Sequence, residues 1–526
     1  MRGWRAAILH ERAALRHDLQ MTQSFRRRAL TALALAASIL PASAFAQAKL
    51  APISESEVRA HIAVLASDEF EGRGPGSAGE TKTLDYLAKT WASYGLVSGT
   101  NDAARPWFQP VPLVERKPYA QAVSASVRGK VLKLAEDGVA LSGRNPTDRV
   151  TGEPLFVGFG VNLQGEVYAD VKGRIVLMLA DEPVIEGGVK LPTARERQKL
   201  LAGAGAAAVL VVPPPGAPWG GMRSQIATGS MRLASDDIGA PIGGLVRGDV
   251  ADTLLRTARL SMLDAQLRAA NLDFAPVTLP VTLDLATSTT VRAFDSHNVI
   301  GKIPGSKPGS GAVLLLGHWD HFGICRSEEA EDRICNGAVD NASGMAVLLT
   351  VAERLARGAP MERDVYVMGT TAEERGLLGA YYFADHPVVP LKDILVALNV
   401  DTVAIAPAGA PVALVGRGEN GLDEIVDRIA TDLGRKVDAD KEANAFIRRQ
   451  DGWALGAKGV KSIMAGGSFS DMAMLQAFLT TVYHQPDDEL TDATPLGGAA
   501  DDANLHVELT RQFADSAKYT PAPTGD

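Results

Sequence analysis

The residues of this chain best suited to chemistry follow apolar runs in its second half. His318 and Asp320 come after the run 312–317, Glu373 and Glu374 after 364–371, and Asp401 after 394–400. Asp340 and Asn341 stand directly before an apolar-faced helical stretch, and His484 lies in Val482-Tyr483-His484-Gln485-Pro486-Asp487. Two imidazoles with several carboxylates and no cysteine make a donor set for a borderline divalent ion such as zinc, with cobalt and manganese also suited. Taken singly, each residue is ordinary: a lone His near a strand end is usually a surface or core residue, and paired Glu are usually solvated. Their joint placement points to a site, because functional groups of an open α/β sheet collect where strands end. His318 and Asp320 are two apart and share a face if extended, so Asp320 is expected to hold the imidazole from behind.

Positioning such a set takes a sheet covered on both faces. Past Asn298, strands are predicted over 299–303, 312–316, 364–369 and 394–400, alternating with a helix over 343–357. That helix repeats Met345, Leu348, Leu349, Ala352 and Leu355 at the 3.6-residue period, and Asn341 or Ser343 is placed to cap it. Apolar strands alternating with helices imply an α/β sheet with helices on both faces. Nearer the start, 81–94 reads as an amphipathic helix with Leu84, Leu87, Trp91 and Tyr94 on one face and Gly95 at its end. The glycine-rich stretch 68–77 before it follows no apolar strand and lacks the Gly-Lys-Ser/Thr ending of a phosphate loop. Between 120 and 280 the texture changes to short β-type runs, such as 155–160 and 174–179, with a helix-like stretch 194–204 leading into a strand 207–212. This middle region reads as a separate β-rich domain.

With 526 residues, 46% hydrophobic and 22% charged, the chain has the composition of a globular protein rather than a disordered or polytopic membrane one. The formal charge of −9 conceals an asymmetry: residues 1–46 carry seven Arg against Glu11 and Asp18. Without them 46 basic residues face 60 acidic ones, a net charge of −14. That balance argues against a nucleic-acid partner, which needs a basic footprint.

The basic segment itself reads as a signal peptide over 1–46. Arg26, Arg27 and Arg28 precede an apolar run 29–40, then Pro41 and the small-residue exit Ala44-Phe45-Ala46. Met21 opens a signal of normal proportions and is the expected start, and Arg26-Arg27 with Leu30 downstream also permits a twin-arginine route. The run is too short to anchor and no second run of spanning length follows, so the expected product is exported, periplasmic or secreted, without a stable membrane anchor. Export permits a disulfide between the two cysteines, Cys325 and Cys335. Two free thiols or a metal pair are the alternatives, and this spacing carries no zinc-finger pattern.

The sequence resembles the co-catalytic zinc aminopeptidases, metallopeptidase family twenty-eight, through His318-Trp319-Asp320-His321, the run 337–344 around Asp340-Asn341, Ala372-Glu373-Glu374-Arg375-Gly376-Leu377-Leu378-Gly379, Asn399-Val400-Asp401 and Tyr483-His484, in family order. Ser296-His297-Asn298-Val299-Ile300-Gly301 looks like the strand entering the catalytic core, and Glu71-Gly72-Arg73-Gly74-Pro75-Gly76 like the loop near its start. Phe156-Val157-Gly158-Phe159-Gly160 and 171–176 resemble the protease-associated domain that such enzymes carry as an insertion. The resemblance implies a three-layer αβα zinc-exopeptidase-like domain with a mixed, mainly parallel sheet. Its parts would be 47–119 and 281–526, interrupted by the insertion at 120–280. It further implies two zinc ions bridged by Asp340, with His318 and Asp401 completing one site and Glu374 and His484 the other. Glu373 would be the general base and Tyr483 the donor to the oxyanion, while Glu373 and Asp401 match positions that recognise a substrate's free α-ammonium.

The chain also departs from the pattern. Where many relatives read Arg-Ser-Asp-His, it has Arg449-Gln450-Asp451-Gly452, and Ala380 stands where Ser is frequent. His321 and Asp487 are expected to be ordinary polar neighbours. An exported aminopeptidase acting on peptides with a free N-terminus is the expected function. The alternatives are a carboxypeptidase or dipeptidase of the same family, a glutaminyl cyclase, and a receptor-like binding protein without catalysis. Only 42 residues follow His484, too few for the helical dimerisation domain of the large carboxypeptidases. Nothing in the sequence specifies an oligomeric state.

Overall fold

The computed structural model describes residues 50–181, 190–271 and 274–521, so the signal segment 1–46 and the start at Met21 lie outside the described residues. The first helix, α1 (Glu55–Leu65), opens on a capping box at Ser54 and Glu57. The second, α2 (Ala78–Ser93), is capped by Ser77 and buries Leu84, Leu87 and Trp91, so the predicted helix begins three residues earlier than its apolar pattern. Two long strands follow, β1 (Phe108–Val127) and β2 (Thr282–Ile303), antiparallel to each other from Phe108 opposite Val299 to Ser126 opposite Thr282.

After β2 come β3 (Ala312–His318), α3 (Gly344–Ala356), β4 (Asp364–Thr370), β5 (Ile394–Asn399), β6 (Ala413–Val415), β7 (Ser462–Gly466) and α4 (Gly497–Ala514). Along the main path of the sheet the order is β6-β7-β5-β3-β4-β2-β1. The sheet is mixed: β7, β5, β3 and β4 run parallel, while β6 and the β2–β1 pair are antiparallel to their neighbours. All seven residues of β3 are buried, as a central strand covered on both faces requires. Helix α3 is apolar nearly all round, burying Ala346, Val347 and Val351 besides the predicted face, because it is packed by α1, α2 and α4 as well as by the sheet. Of its two candidate caps Asn341 does the work, its Oδ1 accepting from Gly344 N at 2.9 Å. Ser343 instead donates to Val339 O.

A second sheet of six strands lies within 139–278, with the order Val277–Thr278, Leu155–Phe156, Ile175–Leu179, Ala208–Val212, Ile242–Val246 and Val139–Gly143. Its inner pairs are parallel and its outer pairs antiparallel. Helices Ala194–Gly203, Gly248–Arg256 and Met262–Ala269 accompany it, and Leu177, Leu210, Val246 and Leu254 belong to its own apolar core. The expected boundary at 119/120 falls inside β1, because β1 and β2 run through from one sheet's core to the other's. The strand predicted over 155–160 stops at Phe156, before the left-handed Gly158 and Gly160. Among the described residues no helix is long and apolar enough to cross a membrane.

Candidate metal centre

His318 is the last residue of β3, and its neighbour in register is Thr370 at the end of β4. Asp401 follows β5 by two residues, and Glu373 and Glu374 open the short turn Glu373–Arg375 after β4. Parallel strands with a common direction thus bring three separated segments to one edge of the sheet. Asp340 arrives on the segment before α3, where Asp488 grips the chain: its Oδ1 and Oδ2 accept from Val339 N at 2.9 Å and Asp340 N at 3.1 Å. Asn341 ties the same segment to the chain just after β5, donating to Val400 O and accepting from Thr402 N.

The five residues expected to bind metal converge. His318 Nε2 lies 3.2 Å from Asp340 Oδ1 and 3.5 Å from Asp401 Oδ1. His484 Nε2 lies 3.3 Å from Asp340 Oδ2 and 3.0 Å from Glu374 Oε2. His318, Asp340 and Asp401 form one group with ligand atoms within reach of a single ion. A second such group joins Asp340 and Glu374 with His321, whose Nδ1 is 2.5 Å from Glu374 Oε1. His321 is fully buried, so its expected role as an ordinary polar neighbour gives way to that of a partner of Glu374, whereas Asp487 is exposed.

The donors fit a metal. His318 Nδ1 is 3.0 Å from the main-chain oxygen of Asp320, which keeps the proton on Nδ1 and turns the Nε2 lone pair to Asp340 and Asp401. The Nε2 atoms of His318 and His484 are buried without a hydrogen bond, an arrangement that costs free energy unless a cation takes the lone pair. Asp320 corrects the expectation made for it: its carboxylate is 4.0 Å from the imidazole and instead accepts from Glu373 N at 3.1 Å. The strand ends at His318, so Asp320 lies beyond the extended run on which a shared face depends.

The electrostatics carry the same demand for positive charge. Burial opposes protonation of His318, but the negative charge of Glu373 and Asp401, with the carboxylate of Asp340 close to its Nε2, outweighs it and holds its pKa well above the ordinary value. His484, likewise opposed by burial, is pushed up to about 9 by Asp340 and Glu374. Burial would raise Asp340, yet the imidazoles of His318 and His484 close beside its carboxylate hold it well below the usual carboxylate range. Glu373 moves the other way: burial lifts it well above its ordinary value, and Asp451, Glu374 and Asp401 overcome the opposing pull of His318. Burial also carries Asp320 to about 7 and Asp451 to about 6.

Around this centre, the Tyr483 ring stacks on His484 at 3.5 Å between centroids, and Arg449 Nη2 is 3.5 Å from the Tyr483 hydroxyl. Gly452 is buried, and a Cβ there would meet Ser462 Oγ at 2.0 Å. Asp451 beside it is buried and accepts from Thr370 Oγ1. Cys325 and Cys335 are joined by a disulfide, closing the small hairpin Gly323–Ile324 and Ile334–Cys335 between His318 and Asp340. Asp488 escaped the sequence reading because nothing local marked it, whereas His321 was read as an ordinary polar neighbour although its proximity to His318 was an available signal.

Residues 298–503 match the model described as peptidase family M28. Over 266 residues the chain is 26% identical to "Aminopeptidase YwaD" of Bacillus subtilis, a match covering 50% of this chain and 47% of that protein. Over 283 residues it is 24% identical to "Carboxypeptidase Q" of Pongo abelii, covering 53% and 52%. The matches thus span about half the length of these two curated relatives. Among solved structures, an aminopeptidase from Aneurinibacillus sp. strain AM-1 superposes with a TM-score of 0.56 at 19% identity, covering 90% of this chain and 97% of the other, which shows a shared fold.

Proposed function

Since the chain belongs, through residues 298–503, to peptidase family M28, we propose that it is a dinuclear zinc aminopeptidase. One observation carries the reading: each oxygen of the Asp340 carboxylate faces a different imidazole, His318 at 3.2 Å and His484 at 3.3 Å. A carboxylate so placed would serve two ions. His318, Asp340 and Asp401 would hold one, and Asp340, Glu374 and His484 the other. Zinc bound there supplies Lewis-acid polarisation of the scissile carbonyl and an attacking water acidic enough to ionise near neutral pH. Glu373 stands outside both ligand groups and is the general base, taking a proton from the attacking water and later passing it to the leaving amine. Tyr483 donates to the oxyanion. Asp320 holds the main chain of Glu373, and so orients the base.

The surrounding carboxylates suit a substrate α-ammonium, and acetylation would bury them against a neutral amide without a partner. The second reading, a carboxypeptidase or dipeptidase, draws on the match to "Carboxypeptidase Q" and on Arg326, Arg333, Arg375 and Arg449, cations that could hold a terminal carboxylate. Release of the N-terminal residue from matched short peptides decides between them. Strong loss on N-acetylation with tolerance of C-terminal amidation is expected, while dependence on a free C-terminus would establish the alternative. We read the enzyme as exported, from 1–46 and from a disulfide that suits an oxidising compartment, and 120–280 as a protease-associated insertion.

A further inference from the structure

Before α2 the chain makes an unusual turn: Glu71, Gly72 and Arg73 all have positive φ, at 48°, 62° and 53°. A Cβ at Gly72 would stand 2.3 Å from Cys335 O and 2.8 Å from Gly323 O, so only glycine passes against the two strands of the disulfide hairpin. The turn delivers Arg73 into the interior, where it is fully buried. Its donors go to four main-chain carbonyls. Nε donates to Trp319 O at 2.8 Å, Nη1 to Leu65 O and Asn336 O at 2.6 Å each, and Nη2 to Gly337 O at 2.9 Å. Trp319 separates His318 from Asp320, and Asn336 and Gly337 lead into Asp340. One guanidinium therefore spans the two segments that deliver the first ligand and the shared one.

Among the described residues Arg73 forms no ion pair, although Asp488, Asp340, Asp320 and Glu374 act on it through space. Burial lowers its pKa only to about 10, so it stays charged at neutral pH. A fixed cation beneath a metal centre repels the metal, so charge alone gives no reason for an arginine here. The planar fork does, because it is the side chain that can tie several fixed acceptors in one plane.

Resting on the metal-centre reading above, we propose that Arg73 is a positioning residue of that centre: through the Trp319 and Gly337 carbonyls it holds His318 and Asp340 at the separation that lets Asp340 serve two ions. It lies outside the family-matched segment 298–503. Supporting bonds of this kind typically carry about 10–100-fold in metal affinity.

The test is cobalt(II) binding to full-length wild type, Arg73→Lys and Arg73→Met, followed by visible absorption in competition with a chelator, with thermal unfolding of each metal-free protein alongside. Arg73→Lys keeps the charge but cannot reach all four carbonyls. It should fold and lose about 10–100-fold in affinity at both ions together. Affinity that is unchanged, or tightened as relief of repulsion would dictate, with only the melting temperature lowered, would overturn the proposal. So would a failure of both variants to fold, which would make Arg73 a requirement of folding. Wild type that takes up no cobalt would instead overturn the metal-centre reading itself.

Discussion

Replacing Glu373 by Gln isolates the proposed base from everything around it. The backbone N–H of Glu373 is held by Asp320 Oδ1 at 3.1 Å, and this bond is untouched by a side-chain amide of the same shape. Neither ligand group includes Glu373, so both ions should still bind. What is lost is proton affinity. Burial, reinforced by Asp451, Glu374 and Asp401 against His318, gives this carboxyl an unusually strong hold on a proton, and the amide has none. A positioned general base contributes about 10²–10⁴-fold, which at 1.36 kcal/mol per decade is about 3–5 kcal/mol of barrier. The assay is kcat on a short peptide amide, with zinc content and melting temperature measured on the same sample. Turnover within a few-fold of wild type, with both metals in place, would refute the role of Glu373 as base. Loss of a metal ion would refute its placement outside the ligand set.

Asp340→Ala should disturb both ions and His484→Ala mainly one, which elemental analysis of the dialysed proteins would read as different residual stoichiometries. Removing the disulfide with Cys325→Ser and Cys335→Ser releases a loop closure of ten residues, worth about 3 kcal/mol in the chain-entropy model, and should loosen metal binding before the fold is lost; chelator competition and urea unfolding compare the two. His506 is buried with Nδ1 2.8 Å from Asp502 O, and burial depresses its pKa from 6.5 to about 4. The unfolded chain then binds the proton first, so this contribution is full above about pH 6.5 and is lost as pH falls through about 4, by up to about 3 kcal/mol. Asp502, raised by burial to about 6, acts in the opposite sense. The quantity to measure is therefore the stability gap between wild type and His506→Gln in urea, which should narrow from pH 7 to pH 4; a constant gap would contradict the assignment.

What was legible in the sequence was whatever sits directly beside a regular element. His318, Glu374 and Asp401 follow buried apolar strands, and Asp340 precedes a strongly periodic helix, so their neighbourhood is written locally. Arg73 and Asp488 are different, because they work by bonding main-chain atoms: Arg73 reaches carbonyls 246 to 264 residues away, and Asp488 reaches amides 148 and 149 residues away. Backbone acceptors and donors have no residue type to announce them. Asp320 was misread for a related reason, since the strand ends at His318 and the two-residue periodicity on which the expectation rested does not extend to Asp320. Strand β2 was legible only at 299–303, because its earlier residues mix Thr, Ser and Asp with apolar ones and lie half exposed. Such a strand is stabilised by its partners rather than by its own apolar run.

That pair of long strands has a mechanical consequence. Strand β2 has 22 residues, roughly 70 Å of extended chain at about 3.3 Å per residue, and β1 is bonded to it along most of that length. At one end Val111 and Leu113 pack with Ala372 and Leu378 beside the Glu373–Arg375 turn, while at the other Ala125, Leu283 and Leu285 belong to the core of the second sheet. A pair of separate linkers would let the second sheet swivel; a hydrogen-bonded ribbon behaves more like a leaf spring, stiff to stretching and shear but open to twist and bend. Its compliant point is the register shift between Ser288 and Thr289, opposite Ala120 and Pro118, which leaves exposed Tyr119 unpaired as a bulge. Flexing there would swing the second sheet along a fixed arc while the ladder on either side of Tyr119 stays intact.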